Sequence, residues 1–349
     1  MVFIYLVFYY RIIPKTNKIF ILYKNNKTMA SGLTHILLTK KLQDEIEDGK
    51  LRDILAFGAS SFQVGAVAPD LPYASIADNN FFANESPLAD DFHYRKTNQI
   101  PLQSLEILKS LNGQMDKRIH YQMFSFFIGY ISHVIADGTI HPFVRDKVGE
   151  YDENQAEHRS LEMQLDVLFV EELTKNSGFT AELNNINIHD QILDFIDNDA
   201  SSDIIQIFSE LIESTYHVQY SAEKIFGWIK GLYRMFEVAE GNHPKFYRVL
   251  ESNSFTYRNR SDIDRERAVV LERPKDRDEN FLKEENIDYF KDCIPQFYIK
   301  FIDIARKAYY YVYKDGAILD ENDIPPINLD TGRLADNNDL NLIPEFWKI

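Results

Sequence analysis

Cysteine is almost absent from this chain: one residue, Cys293, stands among 349. That excludes an internal disulfide framework and any zinc site built on thiolates, so a metal held here is held by imidazole and carboxylate. It also points to a reducing compartment, and the expected location is cytoplasmic. Positive charge is scarce as well. Lys and Arg total 38 against 54 Asp and Glu, a formal net charge of -16. Such a balance repels polyphosphate backbones and anionic lipid surfaces unless a basic patch intervenes, and the body of the chain contains none, so a nucleic-acid partner is disfavoured. No stable transmembrane segment is expected at the start either. The apolar stretch Val2 to Tyr10 is shorter than the span of about 20 residues that a bilayer needs, and Arg11, Pro14 and Lys15 interrupt it. It lacks the positive region ahead and the small-residue cleavage site behind that mark a secretory signal. Residues 1–28 are therefore read as a non-domain extension, with translation beginning at Met29. Membrane association or export through this segment is the alternative.

Repeats and a parallel-sheet pattern are also missing, and what is present reads as helix. Leu37, Leu38, Leu42 and Ile46 follow Thr34-His35 at helical spacing, and Leu105, Leu108 and Leu111 run to a stop at Asn112-Gly113. Ile204, Ile205, Phe208, Leu211 and Ile212 form one apolar stripe, and Ile225, Trp228, Ile229, Leu232 and Phe236 form another behind the cap Ser221. A last helix carries Phe297, Phe301, Ile304, Ala308 and Val312. The mixed charges between Arg258 and Glu285 read as a solvated loop or face. The expected architecture is a single all-α domain over residues 29–314 with nothing more than a short hairpin, followed by an irregular tail, 315–349, wrapping the surface.

The stretch from Ser132 to Pro142 places three metal-ligand types in an apolar run. On a helix, His133 and Asp137 share a face, four residues apart, and His141 follows them. Because the residue before a proline is pushed out of the α region, His141 is expected on the loop or last turn that ends the helix at Pro142. A carboxylate among Phe126, Phe127, Ile128, Ile131, Val134 and Ile135 must be paired, protonated or coordinated. Coordination satisfies all three groups at once; the alternative is a core histidine, a capping Asp and a surface histidine. His158 and Glu162 repeat the four-residue spacing, which fits a metal face or an ordinary helix pair. Asp70, flanked by Pro69 and Pro72, and His93 read singly as turn and surface residues. His189-Asp190 lies in an Asn/Asp-rich segment with no second cluster and is read as bland. Together with His35, the series Asp70, His93, His133, Asp137, His141, His158 and Glu162 offers eight oxygen and nitrogen donors without a thiolate. That is enough for two or three zinc ions.

The order Thr34-His35, Gly65-Ala66-Val67-Ala68-Pro69-Asp70, His93, Ser132 through His141 and His158 through Glu162 resembles the zinc-dependent phospholipase C superfamily. Within it, the spacing is most similar to the catalytic domain of glycosylphosphatidylinositol-specific phospholipase D. The resemblance implies an all-α fold around a zinc cluster and hydrolysis of a phospholipid or another small phosphodiester. Carried over, Asp70, His93, His133 and Asp137 hold one zinc, His141, His158 and Glu162 a second, and His35 with bridging Asp137 a third. Secreted members complete the third position with the amino group of a mature N-terminal residue, which this sequence does not display. Asp70 is the candidate for orienting or deprotonating the attacking water, and Asp166, outside the series on the helix of His158, is expected to be dispensable. A single-strand nuclease of the same superfamily and a non-catalytic metal-stabilised helical protein are the competing readings.

Overall fold

The computed structural model describes residues 32–77, 85–151, 153–175, 188–240, 260–272, 286–314 and 316–348. In chain order its helices are α1 (Gly32–Glu45), α2 (Gly49–Phe57), α3 (Ala59–Gly65), α4 (Ser86–Tyr94), α5 (Gln99–Leu111), α6 (Lys117–Val148), α7 (Gln155–Thr174), α8 (Ile188–Ile196), α9 (Ser201–Tyr216), α10 (Ala222–Glu240), α11 (Arg265–Val269) and α12 (Ile294–Tyr313). A 3₁₀ run, Ala68–Ala77, follows α3, where Pro72 interrupts regular pairing. Strand β1 (Val270–Leu271) pairs antiparallel with β2 (Ile287–Asp288), Val270 opposite Asp288, and among the described residues this is the whole of the sheet structure. The protein is thus all-α, as its periodicity predicts. The expected extension, residues 1–28, lies outside the described residues.

Helix α6 organises the rest. Asp116 caps it by accepting from the N–H groups of Arg118 and Ile119. From Met123 to Val144 every residue is buried, so no single face is polar and the helix is enclosed by its neighbours. By length and composition it would cross a membrane, yet the apolar part is wholly buried inside the fold. Helix α3 crosses it at van der Waals limit: a Cβ on Gly129 would lie 2.2 Å from Phe62 O, and one on Gly65 would lie 2.0 Å from Phe126 O. Backbones approach this closely only where side chains are missing.

Two expectations need correction. Helix α6 does not end at Pro142 but continues to Val148, so His141 is helical and fully in register with His133 and Asp137. Proline removes one hydrogen bond, to the carbonyl four residues back, and packing on all sides outweighs that loss. The freed carbonyl, Gly138 O, would lie 2.6 Å from a Cβ on Gly332, so the tail packs against it only because that side chain is missing. The tail, secondly, does more than lie on the surface. It is irregular, apart from a bridge between Ile327 and Leu334 and a 3₁₀ turn at Glu345–Trp347, but Ile324, Ile327, Leu329, Thr331, Arg333, Phe346 and Trp347 are buried.

Candidate metal centre

Five elements build a cluster around Asp137. Helix α6 supplies His133, Asp137 and His141; α4 supplies His93 from its last turn; the 3₁₀ run supplies Asp70; α7 supplies His158 and Glu162; and α1 supplies His35. All eight side chains are buried. The four-residue spacings read from the sequence are met as contacts: His133 Nε2 to Asp137 Oδ2 is 3.2 Å, and His158 Nε2 to Glu162 Oε1 is 3.3 Å. His93 Nε2 lies 3.3 Å from Asp70 Oδ1 and 3.6 Å from Asp137 Oδ2. On the other side, Asp137 Oδ1 faces His35 Nε2 at 3.2 Å and His141 Nε2 at 3.4 Å, and His141 continues to Glu162 Oε1 at 3.3 Å.

Two histidines have their tautomers set by backbone carbonyls. His133 Nδ1–H donates to Ala66 O at 2.9 Å, a contact that the close crossing of α3 and α6 makes possible, and His93 Nδ1–H donates to Ala89 O at 2.7 Å. In the neutral rings, both Nε2 atoms are then left as lone-pair donors. They face one another at 3.3 Å, which is repulsive unless a cation or a proton lies between them.

The residues fit zinc. Two donors about 2.1 Å from one tetrahedral ion stand about 3.4 Å apart, and the separations within the cluster run from 3.2 to 3.6 Å. Direct ion pairs are closer, about 2.7–2.9 Å. Both oxygens of Asp70, both of Asp137 and Oε2 of Glu162 are buried without a hydrogen-bond donor among the described residues. Orphaned carboxylate oxygens inside a protein cost several kcal/mol, on the order of what an ion recovers. Three donor groups fall close enough together for one ion each: Asp70 with His93 and His133; His141 with His158 and Glu162; and His35 with His133 and Asp137. The third is constrained by ring geometry. His35 and His133 stack at 4.0 Å between centroids with 17° between planes, an arrangement that disfavours convergence of both in-plane lone pairs on one ion.

Without metal, protons take over part of the compensation. Burial opposes charge on His141, but the carboxylates of Asp137 and Glu162 raise it to about 10. Burial also opposes charge on His93, and Asp70 and Asp137 outweigh it in the upward direction, whereas on His133 burial prevails and lowers it. Burial alone would raise Asp137 and Glu162; the histidines around them hold both below the usual carboxylate range, Asp137 well below. Zinc must therefore displace a proton from His141. Its apparent affinity is expected to rise with pH until His141 has deprotonated at about 10, by about tenfold per pH unit for each proton displaced. Calorimetry in buffers of differing ionisation heat measures the protons released. In the metal-free chain the raised His141 stabilises the fold below its ordinary 6.5 and ceases to do so as pH climbs through about 10. The lowered Glu162 stabilises above its ordinary 4.5 and ceases to do so on acidification. The lowered His133 opposes folding increasingly as pH falls below its ordinary 6.5, so chelator-treated protein should melt at its highest temperature toward the upper end of the window from 4.5 to 6.5, and a melting temperature that rises toward pH 10 would contradict this placement of charge.

The roles of two neighbours of the cluster escape sequence reading. Asp166 is buried and accepts from Thr34 Oγ1 at 2.7 Å, bracing the residue before His35, so it is no neutral bystander. Tyr289, from the π-type turn Tyr289–Cys293, lines a cavity of about 20 Å³ together with Thr34, His35, Asp137, His141 and Glu162. Burial holds its hydroxyl protonated, well above the usual tyrosine range. Nothing in the local pattern around Tyr289 announces that position. Thr34, by contrast, carries a signal in its adjacency to a ligand. His189 and Asp190, read as bland, belong to none of the three donor groups.

An all-α chain whose buried imidazoles and carboxylates stand at zinc-donor separations is of the metal-binding class. Residues 34–231 match the zinc-dependent phospholipase C family, and the chain is a member of that family, with zinc as its metal. No curated protein and no solved structure matches it significantly.

Proposed function

We propose that the protein hydrolyses a phospholipid phosphodiester at this cluster, with Asp70, His93, His133 and Oδ2 of Asp137 holding one zinc and His141, His158 and Glu162 a second. The observation that carries the reading is the convergence of lone-pair nitrogens and orphaned carboxylate oxygens at 3.2–3.6 Å. His35 and Oδ1 of Asp137 form a further position with two protein donors, fewer than the three or more that zinc sites take. Two ions are expected to survive dialysis and a third, if added, to be lost; elemental analysis before and after dialysis counts them.

Zinc, when bound, supplies the Lewis acidity that neutralises a phosphodiester and acidifies water. The chain's own residues do the rest. Thr34, His35, Asp137, His141, Glu162 and Tyr289 enclose the 20 Å³ cavity, room for about one water. An open position beside the ligands is what a catalytic site needs and a closed structural staple lacks, and this cavity supports the catalytic reading. Asp70 does not line that cavity, and we assign it to ligation rather than to water activation. No protein nucleophile is required for this chemistry.

The decisive experiment couples metal analysis to hydrolysis of chromogenic phosphodiesters and of phospholipid vesicles, with product identification. Diacylglycerol with a phosphorylated head group marks C-type cleavage; phosphatidic acid marks D-type cleavage, as similarity to glycosylphosphatidylinositol-specific phospholipase D would have it. Degradation of single-stranded DNA with no action on lipids would favour the nuclease reading, which the charge of -16 disfavours. Zinc-loaded protein inert on every phosphodiester would leave the staple.

A further inference from the structure

We propose that residues 327–347, which follow the family match, are a positioning clamp that sets the spacing of the metal ligands. The proposal rests on the zinc reading of the cluster. Three contacts carry it, each to the backbone of a ligand or of a residue between two ligands. The N–H of Leu329 donates to the carbonyl of His93 at 2.9 Å. Nε1–H of Trp347 donates to Thr139 O at 3.0 Å, midway between Asp137 and His141. Gly332, at φ +67°, packs so tightly that a Cβ on it would lie 2.6 Å from Gly138 O, the carbonyl that Pro142 cannot serve, and 2.9 Å from the Pro142 ring. Side chains of Ile327 and Phe346 press on Gly138 from the same side, 2.6 Å from where a Cβ would stand.

The clamp is itself held shut. Arg333, buried, donates to Thr331 O at 2.8 Å, Leu340 O at 2.9 Å and Leu342 O at 2.7 Å, and the Glu345 N–H donates to Gly332 O at 2.7 Å. Two ties anchor it outside the loop: Thr97 Oγ1 donates to Ile327 O at 2.8 Å, next to α4, and Arg145 pairs with Asp330 at 3.3 Å, one turn beyond His141. The helix segment it grips is the one a proline has weakened. A helix lacking the bond from residue 142 to Gly138 tends to kink there, and a kink would swing His141 away from Asp137. The clamp thus joins the two helices that bear His93 and His141 and braces the weak turn between Asp137 and His141.

Trp347→Phe keeps the ring and removes the N–H; Trp347→His keeps a ring N–H donor in a smaller side chain. Zinc loss is followed by competition with a chromogenic chelator on the full chain, beside the melting temperature of the chelator-treated protein. We expect Trp347→Phe to release zinc about tenfold faster, within the range that supporting residues of metal sites show. Its metal-free melting temperature should stay near wild type, and Trp347→His should recover part of the retention. Asp330→Asn, which loosens the tie to Arg145 at little risk to folding, should shift retention in the same direction. If Trp347→Phe fails to fold, Asp330→Asn decides alone. Zinc retention equal to wild type in the variants, or a metal-free melting temperature that falls as far as the zinc-loaded one, overturns the clamp. A wild-type chain that takes up no zinc overturns the reading of the cluster, and the clamp with it.

Discussion

Asp137→Asn is expected to empty the cluster: zinc retention drops by at least about a hundredfold and phosphodiester hydrolysis falls with it, while helicity survives. Supporting residues alone alter metal affinity by about 10- to 100-fold, and Asp137 is more central than a support. Its Oδ2 faces His133 and His93 and its Oδ1 faces His35 and His141. An amide keeps the shape but turns one of those oxygens into an N–H donor, so whichever way it is oriented one side of the cluster loses an anionic ligand and meets a hydrogen instead. The fold has little reason to collapse, because α6 is enclosed by apolar neighbours along its buried length and Asp137 contributes no hydrophobic contact. The control is not Asp166, whose bond to Thr34 ties it to the site. Glu157, exposed in the first turn of α7, serves instead, and Glu157→Gln should retain both zinc and activity. Elemental analysis and a vesicle assay read the outcome; an Asp137→Asn variant with full zinc and full turnover would remove the metallohydrolase reading.

Gly129→Ala, like Gly65→Ala on the other side of the same crossing, should be among the most damaging single-methyl changes at the described glycines. The added carbon would stand 2.2 Å from Phe62 O, 2.7 Å from Ala66 N and 2.9 Å from the Gly65 carbonyl carbon. All three are backbone atoms, so no side chain can rotate away and α3 must move off α6. Overpacking costs about 1–3 kcal/mol where side chains yield, and a rigid collision belongs at or above the upper end. At about 2–4 °C per kcal/mol for a domain of 150–250 residues, melting should fall by roughly 10 °C. Zinc affinity should fall too, since Ala66, whose carbonyl orients His133, sits at the same crossing. Gly49→Ala provides the comparison: its Cβ would meet nothing nearer than the Arg52 guanidinium at 3.9 Å. Equal melting temperatures for the two variants would mean that the crossing is softer than described.

These outcomes separate what local pattern encodes from what it does not. The pairs His133/Asp137 and His158/Glu162 are legible because a helix repeats every 3.6 residues, and four-residue spacing places both members on one face whatever the rest of the chain does. The helices themselves are legible for the same reason, from stripes such as Ile204 to Ile212 and Phe297 to Val312. The end of α6 is not, because proline's local penalty is visible in sequence while the packing that outweighs it comes from distant elements. Asp166 and Tyr289 stay hidden on the same ground: Thr34 and Asp166 are 132 residues apart, and no periodicity connects them. Whether Asp70 acts on the attacking water or only as a ligand is not legible locally, because both roles need the same carboxylate; the lining of the cavity by His35, Asp137, His141, Glu162 and Tyr289 comes from distant elements.

The braced turn of α6 also carries a consequence for the order of assembly. Trp347 and Thr139 are 208 residues apart and Ile327 and Thr97 are 230 apart. Contacts of such separation form after local ones, since loop closure must precede any reward. During synthesis from the N-terminus, α6 and α7 can coil and collapse long before residues 327–347 exist. On the clamp proposal, zinc taken up before residues 327–347 have docked is expected to be lost more readily, and a product truncated before Ile327 is expected to fold its helices and remain a poor keeper of metal.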